Sequence, residues 1–247
     1  MTNEKEYIPK IAMSIHAHPD DQEFSIGGTL AKWAKAGCEI ISVTITSGDS
    51  GSNDITKDGK YKPELAKLRE VEQQNANDVL GVKHTIFMRY PDGELQTTLA
   101  LRKELTRLIR QYKPDVVLIG NPEAWFYGNE YVNHPDHRAA AQAATEAVFP
   151  SAGTRLIFTD LLDAGYEPHN VKKLYVHGTD KPDTWVDITE TIDIKVEALK
   201  KHASQIPVDE VDKWMRDWAK EDAKDKGFEY AESYRVMVLV NEEEEKK

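Results

Sequence analysis

A single cysteine, Cys38, in 247 residues leaves no internal disulfide to form, and this fits a reducing compartment. It stands between Gly37 and a strand-like run, so a packed thiol is expected rather than a reactive one. No uninterrupted apolar run approaches the roughly 18–20 residues that a membrane-spanning helix needs. The polar start, Met1 to Lys10, has no apolar centre of a secretory signal, so a soluble, cytoplasmic protein with no membrane partner is expected. An excess of basic residues is also missing. Against 43 Asp and Glu stand 32 Lys and Arg, a net charge of −11, which argues against a nucleic-acid partner because no surplus cations displace counterions from phosphates. Part of that charge is the run Asn241 to Lys247, read as a solvated tail. Internal repeats and low-complexity linkers are absent. The chain therefore reads as one domain over 1–247, with a core at 10–150, a C-terminal elaboration at 151–240 and the tail at 241–247.

What is present is an alternation of strand-like and helix-like segments. Ile11 to Ile15 reads as a short buried strand, and Leu30, Trp33 and Ala34 lie at helical spacing before Gly37. Glu39 to Thr46 is rich in Ile and Val and reads as a second strand. Strand, helix and strand in this length make a βαβ unit with parallel pairing. Ser47 to Lys62 is a long Gly- and Asp-rich loop, and Pro63 to Leu80 a helix with an apolar face of Leu65, Leu68, Val71 and Leu80. By pattern alone, Arg69, Glu70 and Glu72 are its polar side. A third strand runs His84 to Met88, a turn follows at Arg89 to Gly93, and Thr98 to Tyr112 is an amphipathic helix. The unbroken run Val116-Val117-Leu118-Ile119 suggests a central strand covered on both faces. Asn121 to Asn133 is an aromatic loop, and Arg138 to Val148 is helical. Beyond Pro150, strands are expected at Arg155 to Asp160, Lys173 to His177, Thr184 to Ile188 and Tyr234 to Val240. A helix capped by Thr189 is expected up to His202, and Trp214 and Trp218 read as packing residues. The fold class is α/β: a Rossmann-like, mostly parallel sheet flanked by helices. No G-x-G-x-x-G stands at the first turn, which weakens a dinucleotide-binding reading.

Two segments carry chemistry, His16-Ala17-His18-Pro19-Asp20-Asp21 and His134-Pro135-Asp136-His137. The first follows a strand, the second opens a helix, and in open α/β sheets ligands sit beyond the carboxyl ends of the strands. Two halves of one metal site are therefore expected there. Zinc, or another divalent metal, suits mixed imidazole and carboxylate ligands, and it lowers the pKa of a bound water to about 7. A free carboxylate can then take the water's proton, and an imidazolium can steady the oxyanion or protonate a leaving amine. Of two adjacent aspartates, one can ligate while the other stays free. His16 is expected to have a supporting or core role.

His18-Pro19-Asp20-Asp21 followed by Gly27-Gly28-Thr29-Leu30 resembles the signature of the LmbE-like (PIG-L) zinc N-deacetylases. The resemblance continues through Arg69-Glu70-Val71-Glu72, Leu80-Gly81-Val82, Pro91-Asp92-Gly93 and His134 to His137. It extends to Lys200 to Gln205 and Tyr230 to Arg235. It implies a Rossmann-like fold, with His18, Asp21 and His137 as zinc ligands and Asp20 as general base. It further implies that His134 assists the oxyanion or the departing amine, oriented by Asp136. Arg69 and Asp92 match positions that hold substrate hydroxyls in sugar-processing members. The sequence departs from the family in having Gln22 where Glu is frequent, and Val132 where some members have Tyr.

The resulting expectation is a zinc-dependent hydrolase that removes acetyl from an N-acetylglucosamine-type amino sugar or glycoconjugate. Its partner is that small molecule, and homo-oligomerisation is left open. Two alternatives remain: a zinc hydrolase of another amide or an ester, such as a conjugate amidase, and a non-enzymatic metal- or nucleotide-binding module.

Overall fold

The computed structural model describes residues 7–240, so the charged tail expected at 241–247 lies outside the described residues. The first apolar run is strand β1 (Ile11–His16), and helix α1 (Asp21–Lys35) starts at the second aspartate of the first motif. Strand β2 (Glu39–Thr46) pairs parallel with β1, placing Ile15 opposite Val43. Helix α2 (Lys62–Leu80), strand β3 (His84–Tyr90), helix α3 (Leu99–Tyr112) and strand β4 (Val116–Ile119) follow. Within the aromatic loop the chain forms a small ribbon, β5 (Phe126–Tyr127) with β6 (Tyr131–Val132), and then enters helix α4 (Pro135–Glu146). The remainder supplies α5 (Thr159–Asp163), β7 (Lys173–Val176), β8 (Thr184–Asp187), α6 (Ile192–Leu199), α7 (Val211–Asp222) and β9 (Ala231–Val238).

The main sheet has seven strands in the order β3-β2-β1-β4-β7-β9-β8. Pairing is parallel from β3 through β7, and β9 runs antiparallel to both its neighbours. The sheet is thus mostly parallel, as the alternating pattern predicts. After β1 the chain steps outward through β2 to β3, then crosses to the other side of β1 for β4. That reversal opens a crevice beyond the carboxyl ends of β1 and β4, the place where such sheets bind ligands.

Strand β4 lies in the middle of the sheet, and its four residues alternate between two cores. Val117 and Ile119 face the side covered by α3 and α4, with Met13, Ile15, Leu105 and Ala144. Val116 and Leu118 face the opposite side, with Ile26, Leu30, Trp33 and Tyr234. Burial on both faces, at about 1.5–3 kcal/mol for each large apolar side chain, explains why this strand has no polar alternation. Helix α1 lies close to the chain after β8 because Gly28 has no side chain. A Cβ there would come within 2.7 Å of Ile188.

Several sequence expectations require correction. The stretch Arg155 to Asp160 is not a strand. Its Ile157 carbonyl, with those of Ser151, Ala152 and Thr154 just before it, accepts from the buried Arg110 guanidinium instead, and α5 begins at Thr159. Thr189 does not cap the C-terminal helix. Its hydroxyl and amide bond Asp187, and α6 begins three residues later, after Thr191. The final strand starts at Ala231, earlier than Tyr234. Trp218 is 59% exposed, so only Trp214 of the tryptophan pair packs into a core. Helix α2 departs most from its pattern. It leaves Leu68 and Val71 largely exposed and buries Arg69, Glu72, Gln73 and Asn77. Its buried face is polar because it backs the first histidine motif. Cys38 is buried, and burial pushes its thiol up to about 12, consistent with a packed rather than reactive group.

Candidate active site

The first motif turns immediately after β1. Asp20 takes a left-handed conformation, φ 90°, at the N-cap of α1. Such a backbone is uncommon for a residue with a side chain, costs about 1–3 kcal/mol, and tends to be retained at functional sites. Its amide is held by Gln73 Oε1 at 2.9 Å, and Arg69 Nη2 donates to Asp20 Oδ2 at 3.1 Å and to the Pro19 carbonyl at 2.8 Å. Arg69 Nη1 also donates to the carbonyl of Gly48. Gly48, at φ 66°, must be glycine, since a Cβ would sit 2.2 Å from that guanidinium.

The second motif sets its residues by a different device. His134 is the N-cap of α4, its Nδ1 accepting the amide of Asp136 at 3.2 Å, and Pro135 occupies the first turn, where no amide is required. One turn in, His137 faces the first motif.

The two motifs meet. His18 Nδ1 and His137 Nε2 lie 3.1 Å apart, Asp21 Oδ1 is 3.1 Å from His137 Nε2, and Asp21 Oδ2 is 3.7 Å from His18 Nδ1. The outward nitrogens are occupied elsewhere. His18 Nε2 faces Asp92 Oδ1 at 3.0 Å and Asp136 Oδ2 at 3.4 Å, and His137 Nδ1 faces Asn133 Oδ1 at 3.1 Å. With the outward nitrogens donating to these oxygens, two imidazole lone pairs and a carboxylate point at one place. Lone pairs so arranged repel one another unless a cation lies between them, so the donor set fits a divalent metal. His134 also brings a nitrogen within 4.8 Å of those of His18 and His137.

The electrostatics agree. Burial disfavours a charged His18, but Asp136, Asp21 and Asp92 outweigh it and raise its pKa well above normal. Burial is likewise overcome at His137 by Asp21, which raises it, and at Asp21 by His137 and His18, which hold its carboxyl far below normal. Asp20 differs: burial pushes its carboxyl up to about 6, with Arg69 opposing and Asp21 adding to the rise. The cluster favours bound positive charge, with a basic carboxylate beside it. His134 shifts the other way, lowered by burial and then by His18.

Not every predicted role matches its position. The carboxylate of Asp136 does not reach His134. It accepts the amides of Gly93 at 2.7 Å and Leu95 at 3.2 Å and faces His18, and only its backbone amide touches His134. Arg69 and Asp92 are buried and engaged within the protein, Arg69 on Asp20 and Asp92 on His18 and the Ser50 amide. The sequence reading missed four residues. Asn133 immediately precedes the second motif and lies one helical turn from His137. Gln73 stands one turn beyond Arg69. His202, quoted above as part of a motif, sits fully buried 3.4 Å from Glu23 Oε2, and Gln73 Nε2 donates to Glu23 Oε1 at 2.9 Å. His177 follows β7, so attention to strand ends would have found it. Its Nε2 meets His16 Nε2 at 2.9 Å, and His16 Nδ1 reaches Ser14 Oγ at 2.9 Å. Burial lowers His16 to about 4 and lowers His177 well below normal, so both imidazoles are neutral.

Comparison with known proteins gives concordant likenesses. Residues 13–148 match the family model described as PIG-L, GlcNAc-PI de-N-acetylase. Diacetylchitobiose deacetylase of Thermococcus kodakarensis is 34% identical over 92% of this chain and 83% of its own. A 1D-myo-inositol 2-acetamido-2-deoxy-alpha-D-glucopyranoside deacetylase of Mycobacteroides abscessus is 27% identical over 79% of this chain and 81% of its own. Among solved structures, N,N'-diacetylchitobiose deacetylase from Pyrococcus horikoshii, complexed with an inhibitor, superposes with a TM-score of 0.83. It is 33% identical and covers 93% of this chain and 84% of its own.

Proposed function

Because the chain belongs to the PIG-L (GlcNAc-PI de-N-acetylase) family and is a hydrolytic N-deacetylase, we propose that it removes acetyl from an N-acetylglucosamine unit of a small saccharide, using zinc. The convergence of His18 Nδ1, His137 Nε2 and the Asp21 carboxylate, with their outward nitrogens tied to acceptors, carries this reading. These three residues would hold the metal, which when bound supplies a Lewis acid and makes a water acidic enough to react near neutral pH.

The protein's own groups do the remainder. Asp20 takes the attacking water's proton on Oδ1, while Arg69 occupies Oδ2 and keeps the carboxyl in one orientation. A carboxylate poised near 6 is basic enough to accept that proton and acidic enough to return it to the departing nitrogen. His134, with Nδ1 engaged by the Asp136 amide, carries its proton on Nε2 and presents a donor to the carbonyl oxygen as negative charge develops. Asp92 and Asp136 fix the tautomer of His18, and Asn133 fixes that of His137. Acetate and a free amino sugar are the products. No helix among the described residues is long and apolar enough to cross a membrane.

The test is direct. Metal-stripped protein reloaded with zinc is incubated with N-acetylglucosamine saccharides, acetyl esters and amide conjugates, and acetate and free amine are measured. Equal release of acetate and amine from the amino sugars is expected. Turnover of esters alone, or of the stripped protein at an undiminished rate, would overturn the proposal.

A further inference from the structure

Asp20, at φ 90°, holds a backbone conformation that persists only where surrounding contacts impose it. Two sets of contacts do so. Arg69 donates to the Pro19 carbonyl and to Asp20 Oδ2, and Gln73 Oε1 accepts the Asp20 amide at 2.9 Å. Gln73 can do this in only one of its two amide orientations, because a flip would set its NH2 group against the Asp20 N–H. The groups that select the orientation lie behind it. Gln73 Nε2 donates to Glu23 Oε1 at 2.9 Å, with a longer bond to Asn77 Oδ1 at 3.2 Å, and a carboxylate offers acceptors alone.

Glu23 is fully buried in the first turn of α1, and Gln22 Nε2 also donates to its Oε1, at 2.7 Å. Its other oxygen, Oε2, receives no hydrogen bond among the described residues and faces His202 Nε2 at 3.4 Å. His202 is fully buried as well, and neither of its ring nitrogens has a hydrogen-bond partner among the described residues. Buried polar groups left alone are costly, so each of these two compensates the other. His202 arrives from the C-terminal elaboration, in the turn after α6, where its carbonyl accepts the amides of Gln205 at 2.9 Å and Ile206 at 3.2 Å. Ser204 clamps that turn to α2, its amide and hydroxyl donating to Glu72 at 2.8 and 2.7 Å, and Glu72 immediately precedes Gln73. The stretch Lys200 to Gln205, which the hydrolytic chemistry leaves without a role, thus delivers an imidazole to the rear of the turn that carries Asp20.

Resting on the assignment of Asp20 as general base, we propose that Glu23 and His202 are positioning residues for it: His202 holds Glu23, Glu23 orients Gln73, and Gln73 fixes the turn that presents Asp20 to the attacking water.

Acetate release from N,N'-diacetylchitobiose by zinc-loaded protein tests it, with zinc content and melting temperature measured on every variant. Gln73→Met keeps the bulk of the side chain and loses the link. It should lower kcat about tenfold to a hundredfold, with KM and zinc content near wild type. Glu23→Leu and His202→Leu should do the same where they fold. Glu23→Gln, which still offers an oxygen to Gln73, and His202→Gln, which still donates to Glu23, should recover most of the loss. The decisive arm combines Gln73→Met with Asp20→Asn. A residue that acts only through Asp20 then has nothing left to position, so the double variant should be no slower than Asp20→Asn alone. The same fractional loss in both backgrounds, a wild-type kcat in Gln73→Met or in folded His202→Leu, or a loss that follows missing zinc overturns the proposal. So does equal loss in Glu23→Gln and Glu23→Leu. The two readings fail separately. Near-normal kcat in Asp20→Asn removes the base and its positioning together, whereas the positioning alone fails when Asp20→Asn is slow and Gln73→Met is not.

Discussion

The chain uses the tripeptide His-Pro-Asp twice, and the two copies end in opposite environments. In the first, at the end of β1, histidine is the inward residue: His18 is buried with carboxylates at both its nitrogens. Its aspartate, Asp20, is held in a left-handed turn and bonds Arg69 through Oδ2. In the second, at the start of α4, histidine is the outer residue, capping the helix, and aspartate is the buried one. Asp136 is fully buried, and its carboxylate is spent on two loop amides and on His18 of the other copy. A strand end followed by a positive-φ turn projects its aspartate at the cleft, whereas a helix N-terminus turns its aspartate back toward the sheet. In the proposed mechanism the same three residues would serve as ligand and base in one place, and as cap and support in the other.

Four substitutions sharpen that contrast. His137→Ala should have the largest effect, with zinc lost after dialysis and turnover at background, read by elemental analysis of the protein. Full metal occupancy in that variant would remove His137 from the ligand set. Asp20→Asn should keep its zinc and lose about 10²–10⁴-fold in kcat, the usual contribution of a general base. Near-normal turnover with metal bound would show that the proton goes elsewhere. Asp136→Asn should weaken zinc binding about 10–100-fold by loosening His18. If competition with a chelator finds zinc affinity unchanged while kcat falls, Asp136 acts on His134 after all and the two copies are more alike than their geometry.

The smallest effect concerns the support behind each copy. Asp20 is backed by Gln73, Glu23 and the buried His202, which lies outside both motifs, whereas Asp136 is held by the Gly93 and Leu95 amides and by His18 of the other copy. Burial opposes charge on His202, but Glu23, Asp20 and Glu72 outweigh it and raise its pKa. A folded-state pKa above the unfolded value of about 6.5 contributes stability in full below that pH, and the contribution is lost as pH rises through the folded value. Melting temperatures of the wild type should therefore fall as pH climbs above about 6.5, and His202→Gln should flatten that slope. An unchanged slope would remove His202 from the support of the first copy.

Much of the framework around the candidate site is legible in the sequence. Strand β1, the strand-to-motif junction and the helix after His134 follow from apolar runs and proline placement, and β4 follows from four consecutive apolar residues. Helix α2 was misread for a physical reason. Periodicity assumes that buried means apolar, and α2 buries Arg69, Gln73 and Asn77 because it packs against a polar site whose groups they satisfy. The ribbon at residues 126–132 escaped notice because two-residue strands are too short to show alternation.

By itself the sequence determined the α/β alternation, the two histidine motifs at element ends, and through them the family, because these depend on local spacing. Tertiary structure alone decided which nitrogen of each histidine faces the shared centre and which carboxylate stands behind it. It also brought Asn133, His177 and His202 to the site and turned Asp136 toward His18 rather than His134. Those choices rest on contacts between residues as far apart as His16 and His177, joined by the crossovers that set β4 beside β1 and β7 beside β4. Local spacing carries no record of which distant group will satisfy a buried polar atom.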